Sequence, residues 1–342
     1  MRNIKKLAIT VGLAIVCLAA VIVCIRVFGD INGSASKGED FAQVTIAQGA
    51  TTADIAAALK EKGLIRYPLV FKMISRSGGY DGKYLPGGFR ISYAASYREM
   101  MEILTSKPNG DSYVRVTIPE GAEARQIAQK LAEAGVCGAD DFLAAANRTD
   151  YDYDFLDSIH DKKDRLVALE GYLFPDTYEF EKGTDAQQVV KVLLDQFERV
   201  FDDKMQKRAK ELDMTVDQAV TLASVIEREA VGDEDRALVA GVFHNRLNGA
   251  GGLTKLQSCA SVQYILGERK AVLSNADTRI QSPYNTYQND GLPVGPIANP
   301  GKASLTAALW PEDTDYLYFG LDGTGKHAFS VTYEEHARKT MQ

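Results

Sequence analysis

From Leu7 to Ile25 the chain carries nineteen consecutive residues without a charge, LAITVGLAIVCLAAVIVCI. As a helix this run spans about 29 Å, the thickness of a bilayer's hydrocarbon core. A cleaved signal peptide has a shorter apolar region, about 7–15 residues, and ends in a small-residue site. Here Arg26 follows the run directly, and Val23 before Cys24 makes a poor lipoprotein cleavage site. The reading is therefore an uncleaved membrane helix over residues 7–28. Arg2, Lys5 and Lys6 precede it, which keeps a tail of residues 1–6 in the cytoplasm and exports the rest of the chain.

The exported part is long enough for two domains within a chain of 342 residues. Charged residues make up 25% with a net charge of −7, which excludes a basic nucleic-acid binder. Residues 29–43, GDINGSASKGEDFAQ, read as a flexible tether. Beyond the tether the chain carries an internal repeat. Val44–Gly63 (VTIAQGATTADIAAALKEKG) and Val116–Gly135 (VTIPEGAEARQIAQKLAEAG) agree at ten of twenty positions, at an offset of 72. Each copy predicts a strand, a glycine turn and a helix. Two copies are too few for a solenoid. A Gly- and Tyr-rich stretch separates them, with a helix expected over Tyr97–Leu104.

Residues 140–215 read as mostly helical, broken near Pro175. Thr215 and Gln218 form a capping box for a helix whose apolar stripe is Ala219, Leu222, Ala223, Ile226 and Ala230. Pro283, Pro293, Pro296 and Pro300 predict a long ordered loop. The carboxyl-terminal stretch reads as strand, Gly turn, strand and short helix.

Several chemistries find no support. Gly320–Lys326 has phosphate-loop spacing, but His327 replaces the magnesium-binding hydroxyl and a strand comes next instead of a helix. Ser34–Lys37 matches S-x-x-K in the tether, with no partner motifs. His160, His244, His327 and His336 form no metal-binding pattern, and neither a metal nor a cofactor is expected. Cys137 and Cys259 would be exported, as a bridge or as two free thiols.

Acid–base chemistry by carboxylate remains. In Ala223–Ala230 (ASVIEREA), Glu227 and Glu229 flank the apolar stripe about 200° apart and cannot converge on one atom. An acid at such a border is partly desolvated, which suits a general acid. Periodicity does not choose between the two. A second cluster sets Glu170, Tyr172 and Asp176 among aromatics (LEGYLFPDTY), as sugar sites often do, and Tyr284, Asn285 and Tyr287 mix rings with an amide.

Taken in order, ALEGYLFPDTY, ASVIERE, VFHNRL, SPYNTYQNDGLPVGPIANPG and DYLYF…GKHAFS closely resemble the YceG-like (MltG) endolytic murein transglycosylases. The resemblance implies an α+β architecture: one membrane helix, a LysM-like α+β subdomain over 44–113 and a mixed α/β catalytic domain over 114–342. It implies cleavage of MurNAc-β-1,4-GlcNAc bonds in nascent peptidoglycan strands, leaving 1,6-anhydro ends at the bacterial plasma membrane. Peptidoglycan synthases (penicillin-binding proteins) are implied as neighbours. The family's catalytic glutamate is the second of its A-S-[IV]-[IV]-E-[KR]-E motif, which falls on Glu229. Candidates for the glycan cleft are Glu170, Tyr172, Asp176, Asn245, Gln257, Tyr284, Asn285 and Tyr287. One departure stands out: relatives usually read L-Q-[ST]-D-P-[ST]-V where this chain has Leu256-Gln257-Ser258-Cys259-Ala260-Ser261-Val262. Two other readings remain: a glycan-binding scaffold without chemistry, and a hydrolysing muramidase using a second acid such as Glu227, Glu170 or Asp176.

Overall fold

The computed structural model describes residues 21–33, 41–160 and 162–340. Most of the expected membrane helix, and the Ser34–Lys37 match, lie outside them. Residues 21–31 are helical, with Val21, Ile22, Val23, Ile25 and Phe28 exposed. No helix among the described residues is long and apolar enough to cross a membrane. Since that helix runs through Ile31 and the first strand opens at Phe41, both ends of the expected tether lie in regular structure.

Two compact units meet in the chain at Tyr113 and Val114. In the first, β1 (Phe41–Ile46) pairs antiparallel with β2 (Gly87–Ser92), Phe41 opposite Ser92 and Ile46 opposite Gly87. Helices α1 (Thr52–Glu61), α2 (Pro68–Ser77) and α3 (Tyr97–Thr105) accompany the hairpin, and Ile55, Leu59, Phe71, Phe89 and Met100 are buried in their shared core. Asp30, at the end of the 21–31 helix, is docked here: its carboxylate accepts from the Tyr97 hydroxyl and, at 2.9 Å, from the Arg66 N–H.

The second unit opens inside β3 (Tyr113–Thr117) and continues with α4 (Ala124–Glu133), followed by α5 (Ala139–Ala146). Both copies of the repeat are thus strand–turn–helix elements. Their helix starts are built alike: Asp54 accepts from the Thr51 N–H at 2.9 Å, and 72 positions on Gln126 accepts from the Glu123 N–H at 3.0 Å. The stretch expected to be mostly helical contains a strand, β4 (Thr177–Glu181), which pairs with β3. Its alternating Tyr178 and Phe180 are buried, a period-2 signal too short to stand out between helices.

Helices α6 (Ala186–Val200), α7 (Asp203–Glu211), α8 (Val216–Glu229), α9 (Arg236–Leu247), α10 (Cys259–Leu266) and α11 (Lys302–Leu309) complete the body, with β5 (Tyr318–Leu321), β6 (His327–Ser330) and α12 (Tyr333–Thr340) last. Helix α8 starts at the expected capping box, Thr215 with Gln218. It is not a one-sided helix, however. Every residue from Ala219 to Ile226 is buried, because α7, α9, α10 and α11 all pack against it.

The proline-rich segment is ordered and largely internal, with Ile297, Ala298 and Asn299 fully buried. Buried irregular backbone needs partners. Ser224 Oγ on α8 accepts from the Ile297 N–H at 3.0 Å. Asn299 Oδ1 accepts from the Gly171 and Leu173 N–H groups, both at 2.9 Å, while its Nδ2 donates to Ala122 O. Gly171 is obligatory there: its φ is +92°, and a Cβ would stand 2.5 Å from Pro296 Cγ. Gly320–Lys326 runs from the end of β5 through the hairpin turn to β6, so no helix comes after it.

Candidate active site

Helix α8 ends on three consecutive charged residues, and the fold sends each in a different direction. Glu227 accepts from the Gly301 N–H at the start of α11 (3.0 Å) and from Arg236 Nη2 (3.3 Å). Arg228 is buried against Glu123 (3.1 Å) and Gly121 O (3.2 Å), not facing solvent. Glu229 turns into a cavity of about 660 Å³, within the usual range for ligand sites. The 200° separation expected between the two glutamates is what divides a structural acid from a cavity acid.

The cavity is walled by α9 (Phe243, Arg246), the segment Leu253–Cys259, Tyr287, the β5–β6 hairpin (Tyr318, Phe319, His327) and α12 (Tyr333, His336). Glu229 Oε1 accepts from Ser258 Oγ at 2.5 Å and from the Ala260 N–H at 3.3 Å. Ser258 is the N-cap residue of α10, so this oxygen sits at a helix start, where developing negative charge is favoured. Burial nevertheless dominates and holds the Glu229 carboxyl above its ordinary range, against the pull of those two donors. With Oε1 occupied as an acceptor, Oε2 is the oxygen left to carry a proton. His327 Nδ1 lies 3.1 Å from Asp235 Oδ2, close enough for an ion pair but not aligned as a hydrogen bond.

Of the residues singled out from sequence, Glu229, Gln257 and Tyr287 converge on this cavity. Gln257 holds a left-handed backbone, φ 51°, and its N–H donates to Thr286 O at 3.1 Å. The Tyr287 hydroxyl meets Cys259 Sγ at 3.0 Å. Burial pushes the Cys259 thiol up, so it stays protonated and a poor nucleophile. Cys137 and Cys259 are both free.

The other six candidates do not line the cavity. Glu170 is 1% exposed, and its oxygens accept from the Ala124 N–H, Asn299 Nδ2 and the Tyr264 hydroxyl. Tyr172 is buried and donates to Asp217 at 2.8 Å. Asp176 is exposed and accepts from Gln196 at 2.7 Å. Asn245 donates to Thr314 O and Tyr316 O, fixing the approach to β5. The Tyr284 hydroxyl accepts from the Leu166 N–H at 3.3 Å, and Asn285 donates to Thr278 O and Ile280 O. Asn245, Tyr284 and Asn285 hold backbone together, and Tyr172 and Asp176 tie side chains of neighbouring elements. Ser258, Arg246, His327 and Tyr318 are cavity residues that sequence reading missed, although the strings VFHNRL and DYLYF…GKHAFS contain three of them.

Comparison with known proteins agrees with the resemblance. The sequence model described as the YceG-like family matches residues 44–342. A Bacillus subtilis protein named endolytic murein transglycosylase is 32% identical over 304 residues, covering 86% of this chain and 82% of that protein. A Streptococcus pneumoniae protein of the same name is 29% identical over 334 residues, and the match takes in 90% of this chain but 59% of the longer pneumococcal one. The crystal structure of a YceG-like protein from Listeria monocytogenes superposes with a TM-score of 0.57 at 32% identity, covering 88% of this chain and 99% of that one.

Proposed function

Because the chain belongs to the YceG-like family, we infer that it is a lytic transglycosylase that cuts peptidoglycan strands internally, between MurNAc and GlcNAc, with Glu229 as its one catalytic acid–base. The observation that carries this reading is the solitude of Glu229: among the described residues lining its cavity it is the only carboxylate. A glycosidase that hydrolyses needs a second one, about 5–5.5 Å away if retaining and about 6.5–9.5 Å away if inverting. Glu227 and Glu170 are occupied elsewhere by backbone and side-chain donors, and Asp176 faces solvent.

A lytic transglycosylase needs only one acid, because the nucleophile belongs to the substrate. Neutral Glu229 protonates the glycosidic oxygen as the C1–O4 bond breaks. The C6 hydroxyl of the same MurNAc attacks C1, and the Glu229 carboxylate, steadied by Ser258 and the Ala260 N–H, takes its proton. Intramolecular attack replaces a bound water, with effective molarities that reach about 10⁵ M. The reading predicts that the purified chain converts murein into fragments with anhydro ends, each lighter by one water than a hydrolysis product. Mass spectrometry that found only hydrated ends would select the muramidase reading. Bound but unshortened strands would select the scaffold.

The placement at the membrane belongs to the same proposal: a cytoplasmic tail of residues 1–6, a spanning helix over 7–28, a LysM-like unit over 44–113 and the catalytic unit over 114–342, outside the bacterial plasma membrane and beside peptidoglycan synthases. Its support is the charge-free run together with the exposed apolar side chains of residues 21–28 in a helix that continues to the docked Asp30. The full chain is expected to stay with membranes under alkaline extraction, and a chain lacking residues 1–28 to be released. Release of the full chain by that wash would refute the anchor.

A further inference from the structure

Four arginines of the second unit are largely shielded from solvent, and three of them hold a carboxylate: Arg165 pairs with Asp217, Arg228 with Glu123 and Arg236 with Glu227. Arg246 does not. It is 6% exposed, and its partners are neutral: Nε donates to Leu317 O at 2.8 Å, Nη1 donates to Leu256 O at 2.6 Å, and Cζ stands 5.4 Å from the Tyr318 ring centre. No carboxylate among the described residues lies within ion-pair distance, and Nη2 has no hydrogen-bond acceptor among them. Two carbonyls and an aromatic face satisfy part of the fork but leave the charge without a counter-ion, an expensive arrangement inside a protein. Arg246 also lines the cavity that holds Glu229. Glu229 attracts it from a distance but forms no ion pair with it, and its Oε1 is engaged by Ser258 and Ala260.

We propose that Arg246 is a specificity-determining residue that receives a carboxylate of the glycan substrate on its free Nη2. This rests on the transglycosylase reading, and it deepens it: the site selects the muramyl side of the strand by charge. Murein offers two sources of that group, the lactyl carboxylate of a peptide-free MurNAc and a carboxylate of the stem peptide. Either would complete the ion pair that the fold leaves open, and the planar fork suits a carboxylate better than a point charge would. The Nε and Nη1 bonds hold the guanidinium in place beforehand, so little side-chain entropy remains to be lost on binding.

The test measures equilibrium binding to the full-length Glu229→Gln protein, which leaves the sugar intact. Four short MurNAc–GlcNAc fragments serve as probes: stem-bearing, stem-bearing with its carboxylates amidated, peptide-free, and peptide-free with the lactyl carboxylate amidated. Neutralising the recognised carboxylate is expected to weaken binding about 10- to 100-fold, the size of a charge-assisted hydrogen bond, and the pair that responds identifies the source. Adding Arg246→Met should erase that difference, leaving free and amidated fragments within about twofold of each other, while Arg246→Lys restores part of it. Equal binding of free and amidated fragments in both pairs would overturn the proposal, as would a difference that persists in Arg246→Met. Should Arg246→Met not fold, the four probes on the Arg246 protein still decide the matter. If the native chain releases no anhydro ends, the function reading falls alone, because the binding comparison does not use cleavage.

Discussion

Glu229→Gln is expected to lower the release of anhydro ends at least about 100-fold, and by as much as about 10⁴-fold, while leaving the thermal midpoint nearly unchanged. Glutamine keeps the size of the side chain and an oxygen that can accept from Ser258 Oγ and the Ala260 N–H. What it lacks is a transferable proton. Unchanged turnover would remove Glu229 from the chemistry. A milder companion tests how the acid is tuned. Ser258 and the Ala260 N–H both favour the ionised carboxyl, so removing either raises an already elevated pKa. A general acid works while protonated, and activity falls as pH rises through its pKa. In Ser258→Ala the alkaline limb of the pH profile should therefore move to higher pH, with a smaller loss of peak rate than in Glu229→Gln. Ala260→Pro should move it the same way, since it takes away the N–H. Proline is compatible with the first turn of α10. A limb that stays in place in both variants would mean that these donors do not set the acid.

How far the sequence reached can be judged residue by residue. The start of α8 was legible because Thr215 and Gln218 are a local device, and so were both copies of the repeat, whose helix starts are closed the same way. The separation of Glu227 from Glu229 came from helical geometry, and the resemblance, not periodicity, favoured Glu229. The ring-and-amide segment around Tyr284 and Asn285 was misleading for a physical reason. A sugar cleft and a buried irregular loop draw on the same residue types, one for pyranose faces and hydroxyls, the other to satisfy backbone N–H and C=O groups away from water. Asn285 and Asn299 do the second. Arg246, Ser258 and His327 were not found because α9, the α10 cap and β6 come from distant parts of the chain. Their meeting around Glu229 is a product of packing that no local pattern encodes.

The same distinction makes Glu170 the site of the largest expected stability effect. Its carboxyl joins three separate parts of the second unit: the Ala124 N–H at the start of α4 at 2.9 Å, Asn299 Nδ2 at 2.6 Å and the Tyr264 hydroxyl at 3.1 Å. Glu170→Ala strands all three donors in a dry interior and opens a void, which should cost about 3–5 kcal/mol and lower the thermal midpoint by roughly 10 °C for a unit of this size. The loss should depend on pH. Burial, acting against the Ala124 and Tyr264 hydrogen bonds, raises the Glu170 pKa to about 7. In the unfolded chain it titrates near the ordinary glutamate value of about 4.3. The native state therefore binds a proton that the unfolded state has released between those two values. Glu170 contributes most below about pH 4, and its contribution declines until about pH 7, by about 4 kcal/mol in all. The gap in thermal midpoint between the native chain and Glu170→Ala should accordingly be wide at pH 5 and narrower at pH 8. A gap that is constant, or that widens with pH, would mean that the carboxyl is buried as an ion. Turnover per folded molecule should be unchanged at a temperature where the variant is folded, because Glu170 does not line the cavity. A loss of turnover without a loss of stability would return it to the glycan cleft.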